Sequence, residues 1–325
     1  MANHDLNETL TYLELANRLE PDGDMAYIAQ QITIKNTLFQ YLVWMEANGL
    51  THHDFAKVLN EPSGTWTMTN MDVPSEAART APERESIGTL ESYSYVDHRL
   101  VRKANSKEAF RRSEDIIFLS GMMKEVADAF VNSDVDINPE KPKGLRWRSE
   151  YASVGDNVID AGGADSDCTS VWVCQMGGDG LYAVFPRNGG EAKMGVRDDD
   201  LGKQLITRST GSQENWVTHF WFEIGIVIRQ DTAVQRIASI DATARGTDGD
   251  IVWKSLIKAI TNLPDPNGAV AFMNKNEYQN ILIDAATKTN VNYTPDDPYG
   301  RKFLADFMGT PLARLDAIES TETAL

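Results

Sequence analysis

The chain has 325 residues, 42% of them hydrophobic, and a formal net charge of -17 from 48 acidic and 31 basic side chains. That length and apolar content support a buried core of one large or two ordinary domains and exclude disorder over most of the chain. The acid excess excludes a protein that coats itself with nucleic-acid phosphates, because counterion release there requires surplus Lys and Arg.

The first residues, "MANHDLNETLTYLEL", carry no positive region followed by an apolar core, so no secretory signal is expected. Leu10, Leu13 and Leu19 recur at helical intervals and stop at Pro21-Asp22-Gly23. A second apolar stretch, with Met25, Ile28, Ile32, Leu38, Leu42 and Met45, ends at Asn48-Gly49. These fifty residues read as helical, without a compact domain of their own.

Residues 52–104 have a different texture. "TWTMT" (65–69) and "LESYSYVDHR" (90–99) alternate small polar with larger groups, as half-exposed strands do, and the polar "PSEAARTAPERESIG" lies between them. The pattern predicts a hairpin arm with a charged tip. An isolated hairpin is marginal in water, so its stability must come from a neighbouring molecule or domain.

"NSKEAFRRSEDIIFLSGMMKEVADAFVNS" (105–133) predicts one long helix. Asn105 and Glu108 resemble a capping box, and Ala109, Ile116, Leu119, Met123, Val126 and Phe130 recur at three- and four-residue steps to make one apolar face. Such a rod is roughly 40 Å long at 1.5 Å per residue.

After the turn "NPEKPKGL", the β-rich "TSVWVCQM" and "LYAVFP" flank "GGDG", the composition of a hairpin turn. "VTHFWFEIGIVIR" (217–229) is the longest strand signal, with Phe220, Phe222, Ile224, Ile226 and Ile228 on one face and His219, Glu223 and Arg229 on a mostly wet one. Its apolar core, "IGIVI", falls far short of the roughly 20 residues a membrane helix needs, so no membrane is expected. "DIVWKSLIKAITNLP" (250–264) predicts an amphipathic helix, "GAVAFMN" (268–274) a strand, and "KNEYQNILIDAATK" a further helix. The end, "FMGTPLARLDAIESTETAL", alternates like an edge or exposed strand.

Motifs that could carry chemistry fail on their spacing. "DVDINPEKPKGL" opens like a calcium loop, but Pro139 replaces the turn glycine and Leu145 the chelating glutamate. "GVRDDDLGKQ" contains Gly-Lys but has Gln204 where a phosphate loop needs Ser or Thr, and reads as a turn before a helix or strand. Asp198, Asp199 and Asp200 point in different directions and read as a solvated acidic turn. His52, His53 and Asp54 lack a recognisable third ligand and read as solvated. Cys168 and Cys174 read as core thiols, and Gly162-Gly163 and Gly177-Gly178-Asp179-Gly180 as turns that let strands reverse. No catalytic, cofactor or metal residues are expected.

The order of elements (helical arm, protruding hairpin, long helix, then β-rich and mixed segments) resembles the major capsid proteins of tailed double-stranded DNA bacteriophages with the Hong Kong 97-type fold. "LTYLELANRLEPDG", "NVIDAGGADSDCTSVWV", "DDLGKQ" and "FWFEIGIVIRQDTAVQRIASID" are similar to stretches of the epsilon-fifteen-like short-tailed phage family, and "FMGTPLARLDAIESTE" is similar to a finish common in such shell proteins. The resemblance implies an α+β capsid fold: an N-terminal arm (1–51), an extended loop hairpin (52–104), the spine helix of a peripheral domain (105–133), and peripheral and axial domains (134–325). Because strand 217–229 precedes the segment "AVAFMNKNEYQNIL", a rearranged segment order is expected.

The implied function is self-assembly into hexamers and pentamers of an icosahedral shell in the virion capsid. Synthesis is expected in the host cytoplasm, with scaffolding, portal and decoration proteins as partners. The shell encloses double-stranded DNA without sequence-specific binding. Trp66, Arg79, Glu83, Arg84 and Glu85 are the expected intersubunit contacts. The alternatives are another self-assembling virion subunit, a scaffold or tube, and a hydrolase using the acidic loops of 160–200, which lacks a general base and metal spacing.

Overall fold

The computed structural model describes residues 37–60, 62–104, 106–164, 166–187, 197–208, 211–241, 249–287 and 306–325. The expected helix around Leu10–Leu19, the Met25–Ile32 part of the second, and the capping residue Asn105 lie outside the described residues; the rest of that second stretch is helical only at Leu38–Tyr41 and turns to strand at Trp44–Glu46. The described residues divide into two compact units, one within Thr89–Ala127 and Gly190–Glu223, the other within Thr37–Gly88, Asp128–Gly189 and Ile224–Leu325.

The second unit begins with a short helix α1 (Leu38–Tyr41), strand β1 (Trp44–Glu46), and the ribbon of β2 (His52–Asn60) and β3 (Arg79–Ser86). Strand β4 (Gly88–Asp97), the turn-length helix α2 (His98–Val101) and helix α3 (Lys107–Asn132) follow. The expected pairing of 65–69 with 90–99 is not the one that forms: residues 62–78 contain no strand, and β3, inside the segment read as a charged tip, returns against β2. Pro82 is tolerated there because a two-stranded ribbon has free edges on both sides.

Helix α3 forms where periodicity places it; the expected face is buried at Val126 and Phe130, but not in the first half of the helix. Phe110, Glu114, Met122, Val126 and Phe130 are buried, whereas Ala109 and Ile116 are exposed. Near the helix start the Ser106 hydroxyl accepts the Ala109 N–H at 3.4 Å.

Strands β5 (Val158–Asp160), β6 (Cys168–Gln175) and β7 (Leu181–Phe185) come next, then the long antiparallel pair β8 (Arg197–Arg208) and β9 (Gly211–Ile228), and β10 (Val234–Asp241). Helix α4 (Gly249–Asn262), strand β11 (Ala269–Met273), helix α5 (Lys275–Thr287) and strands β12 (Asp306–Phe307) and β13 (Thr310–Arg314) complete the chain.

The six-stranded sheet of the second unit has the order β12-β13-β11-β6-β10-β5. β6 is buried from Cys168 to Cys174, as a central strand covered on both faces must be. One face packs Val171 and Val173 with Val252, Leu256, Ala259 and Ile260 of α4, and with Ile281 of α5. On β6 and its neighbour β11, Trp172 and Phe272 sit opposite each other, Tyr151 meets the Trp172 ring edge-on, and Phe130 does the same to Phe272. β13, expected at an edge or exposed, is inside the sheet, paired to β11 and covered outside by β12. Within the first unit, Val96, Leu100, Val101 and Phe110 form a small core with Trp216 packed on it.

The glycine-rich "GGDG" does not close a hairpin ladder. β6 pairs with β10 and β11, whereas β7 pairs with β1 and β9, so the turn passes the chain from one sheet to another. A methyl group at Gly180 would meet the Gln175 carbonyl oxygen at 2.4 Å. Gly180→Ala is therefore expected to cost about 1–3 kcal/mol through backbone displacement, read as a lower urea midpoint of the unassembled subunit.

Candidate assembly site in the extended loop

The β2–β3 ribbon runs from His52 opposite Ser86 to Asn60 opposite Arg79, with a register shift between Val58 and Asn60. Nine residues of strand at about 3.3 Å each carry the chain roughly 30 Å. The two strands form a sheet of their own. At the far end, Trp66, Met68, Met71 and Val73 are exposed, Trp66 fully, and Val58 and Leu59 add to the apolar surface. The tip's internal bonds include Met71 N–H to the Met68 carbonyl at 3.2 Å and Gly64 N–H to Glu76 Oε2 at 3.1 Å. Large apolar side chains exposed this close together in sequence make the tip a candidate interaction site.

The root of the ribbon is held by charge. Glu85 and Arg148 form a buried ion pair at 2.5 Å, with side chains 8% and 4% exposed. The second guanidinium nitrogen of Arg148 donates to the carbonyls of Ile226 at 3.0 Å and Lys143 at 3.1 Å. Farther along, Lys57 bridges Glu83 at 2.9 Å within the ribbon and Asp231 at 2.8 Å outside it. Burial alone would lower the Lys57 pKa, but the two carboxylates outweigh it and raise it. Arg84 grips Asp54 with two bonds, at 2.6 and 3.0 Å, and those bonds hold the Asp54 pKa below its ordinary value.

Of the five expected contact residues, Trp66 alone lies in the irregular tip. Arg79 opens β3, Glu83 and Arg84 pair within the ribbon, and Glu85 is buried at the root. The partners Lys57, Arg148 and Asp231 carry no signal in the sequence; nothing in "GLRWRSE" distinguishes Arg148 from Arg146, which pairs instead with the exposed Glu319.

The remaining motifs are also placed. Asp198–Asp200 begin strand β8 rather than a turn; Asp200 receives two bonds from Arg111, at 2.6 and 3.0 Å, and these lower its pKa. Gly202, at φ 72°, carries the bulge that follows. His53 is not solvated but half-buried against Tyr182. Both cysteines are buried and outside any disulfide, and burial raises the Cys174 pKa. Among the described residues no group of three or more His, Cys, Asp or Glu could hold a metal ion, and no helix is long and apolar enough to cross a membrane.

The chain matches the family model described as Major capsid protein GP7 over residues 20–325. It is similar, at 25% identity and a TM-score of 0.72, to a chain of the near-atomic-resolution structure of bacteriophage epsilon15, covering 100% of this chain and 99% of that one. The bacteriophage JBD30 capsid shares the fold at 8% identity and a TM-score of 0.52, covering 87% of this chain and 90% of that one. No curated protein matches. The mixed helix-and-sheet architecture is thus that of a phage capsid subunit of the Hong Kong 97 type. The chain belongs to the major capsid protein family, and its function is that of a shell subunit of a bacteriophage icosahedral capsid.

Proposed function

We propose that the extended loop is the principal self-assembly element, its tip seated on a neighbouring subunit as hexamers and pentamers close the shell. The observation that carries this reading is the exposed apolar tip around Trp66 on a ribbon tied down toward its root. Trp66 makes the central contact, Glu83 and Arg84 exchange ribbon pairs for intersubunit ones, Arg79 adds a charge at the tip end of β3, and Glu85 acts by fixing the root. Exposed pairs are worth about 0–1 kcal/mol each, which suffices when summed over a closed lattice.

The role is non-enzymatic. The subunit is made in the host cytoplasm, works with scaffolding, portal and decoration proteins, and contains double-stranded DNA without gripping it, a reading its charge of -17 supports. The segments are an arm (1–51), an extended loop (52–104) whose projecting part is 52–86, a spine helix (105–133), and peripheral and axial domains (134–325) in a rearranged order. Superposition on a subunit of the ordinary connectivity checks that order.

Combining Trp66→Ser, Met68→Ser and Met71→Ser should change folding stability by no more than about 0.5 kcal/mol per site, since nothing buried is disturbed. Loss of an interface tryptophan costs about 2 kcal/mol or more per contact, so shell yield should collapse. Gradient sedimentation with negative-stain imaging reads the result. Closed shells at wild-type yield would sink the proposal, and tubes in place of shells would favour a different assembly role.

A further inference from the structure

His53 sits at the start of β2, and both of its ring nitrogens are engaged. Nδ1 accepts the backbone N–H of Asn48 at 3.3 Å, and Nε2 lies 3.2 Å from the Tyr182 hydroxyl on β7. A backbone N–H can only donate, so Nδ1 must keep its lone pair, and the neutral ring carries its proton on Nε2, donated to the tyrosine oxygen. The ring stacks on Phe55 and meets the Tyr182 ring edge-on. Asn48 also brackets the next residue, its side chain donating to the Asp54 carbonyl at 2.6 Å and accepting the Asp54 N–H at 2.8 Å. Segment 48, strand β2 and strand β7 therefore meet at one imidazole.

We propose that His53 is an acid-released pin at the root of the extended loop: neutral, it ties β2 to Asn48 and Tyr182; protonated, it sets two N–H donors against each other and frees the root. The geometry alone makes the neutral ring the bonded form. Burial lowers the His53 pKa from 6.5; Asp54 opposes the shift and His52 adds to it. Because the folded value lies below 6.5, the pin contributes fully above that pH and is lost as pH falls through the folded value.

The surrounding charges are mostly occupied elsewhere. On the same strand Asp54 is held by Arg84, with His52 Nε2 3.5 Å from its carboxylate. Glu85, opposite His53 on β3, is held by Arg148. Burial raises the Tyr182 pKa, Arg229 opposing it, so the phenol stays neutral.

Hydrogen exchange of the unassembled full chain, followed by mass spectrometry at about pH 7.5 and about pH 5.5 and corrected for intrinsic rates, tests the pin. Residues 46–56 should lose protection in acid, by up to about tenfold for each unit of pKa depression. His53→Asn keeps an acceptor near Nδ1 but does not titrate, so its protection should be the same at both pH values; His52→Asn should retain the wild-type response. Equal wild-type protection at both pH values, or a full acid response in His53→Asn, would overturn the proposal. Nitrogen-15 histidine spectra of the wild type need no variant: an Nδ1–H tautomer at neutral pH would equally overturn it.

Discussion

Arg148→Met should destabilise the subunit by about 3–5 kcal/mol, because it strands the Glu85 carboxylate in a site nearly closed to solvent. The guanidinium does more than neutralise Glu85: it also closes the carbonyls of Ile226 and Lys143, which would then lose their donor. Methionine fills much of the volume, so the cost reflects charge and hydrogen bonding rather than a cavity. Adding Glu85→Met should recover most of the loss, since two packed apolar groups replace a desolvated pair at little net cost. Urea unfolding of the four proteins in the double-mutant cycle measures the coupling. A single-mutant loss below about 1 kcal/mol would show that water reaches the site. Shells from the double variant should also reveal whether the charge pair sets the loop's direction or only its stability.

Arg236→Met is expected to cost about as much, 3–5 kcal/mol, for a different part of the subunit. Arg236 donates to Glu322 at 2.8 Å, to the Tyr151 carbonyl at 2.9 Å and to the Ser170 hydroxyl at 3.2 Å, with its guanidinium over the Trp172 ring. Burial lowers its pKa and Glu322 pulls the other way, the balance expected of a charge kept inside by its partner. Glu322 also anchors the C-terminal segment through paired backbone bonds to Cys168, at 2.8 and 3.0 Å. Losing the arginine should therefore release residues 320–325 first, so proteolysis of the C-terminus should precede global unfolding. If the C-terminus stays as resistant as in the wild type, the guanidinium is not what holds it.

Several elements are legible in the sequence. The helix at Lys107–Asn132, the strand expected at 217–229 with its buried Phe220 and Phe222, which the structure extends back to Gly211, and the run α4, β11, α5 follow from periods and breakers that act within a few residues. The capsid resemblance is legible too, through short stretches in a shared order, and the family match supports it. Local pattern fails where two strands have to choose each other. "TWTMT" looks more like a strand than "RTAPERES", which is charged and contains a proline, yet the latter pairs. Its charges meet Asp54, Lys57 and Arg148, and those partners outweigh strand propensity. The expected face of α3 is buried at Val126 and Phe130 but exposed at Ala109 and Ile116, because helical period shows that an apolar stripe exists without saying what covers it.

Local composition suffices for the existence and type of most elements and for the burial of Cys168 and Cys174 as core thiols, because backbone propensity and side-chain period are properties of neighbours in sequence. Tertiary structure alone decides the pairing of β2 with β3, the sheet change at Gly177–Gly180 and the ion pair at the loop root. Every strand offers the same backbone donors and acceptors, so selection among partners falls to contacts such as Glu85 with Arg148, 63 positions apart, which no local pattern encodes.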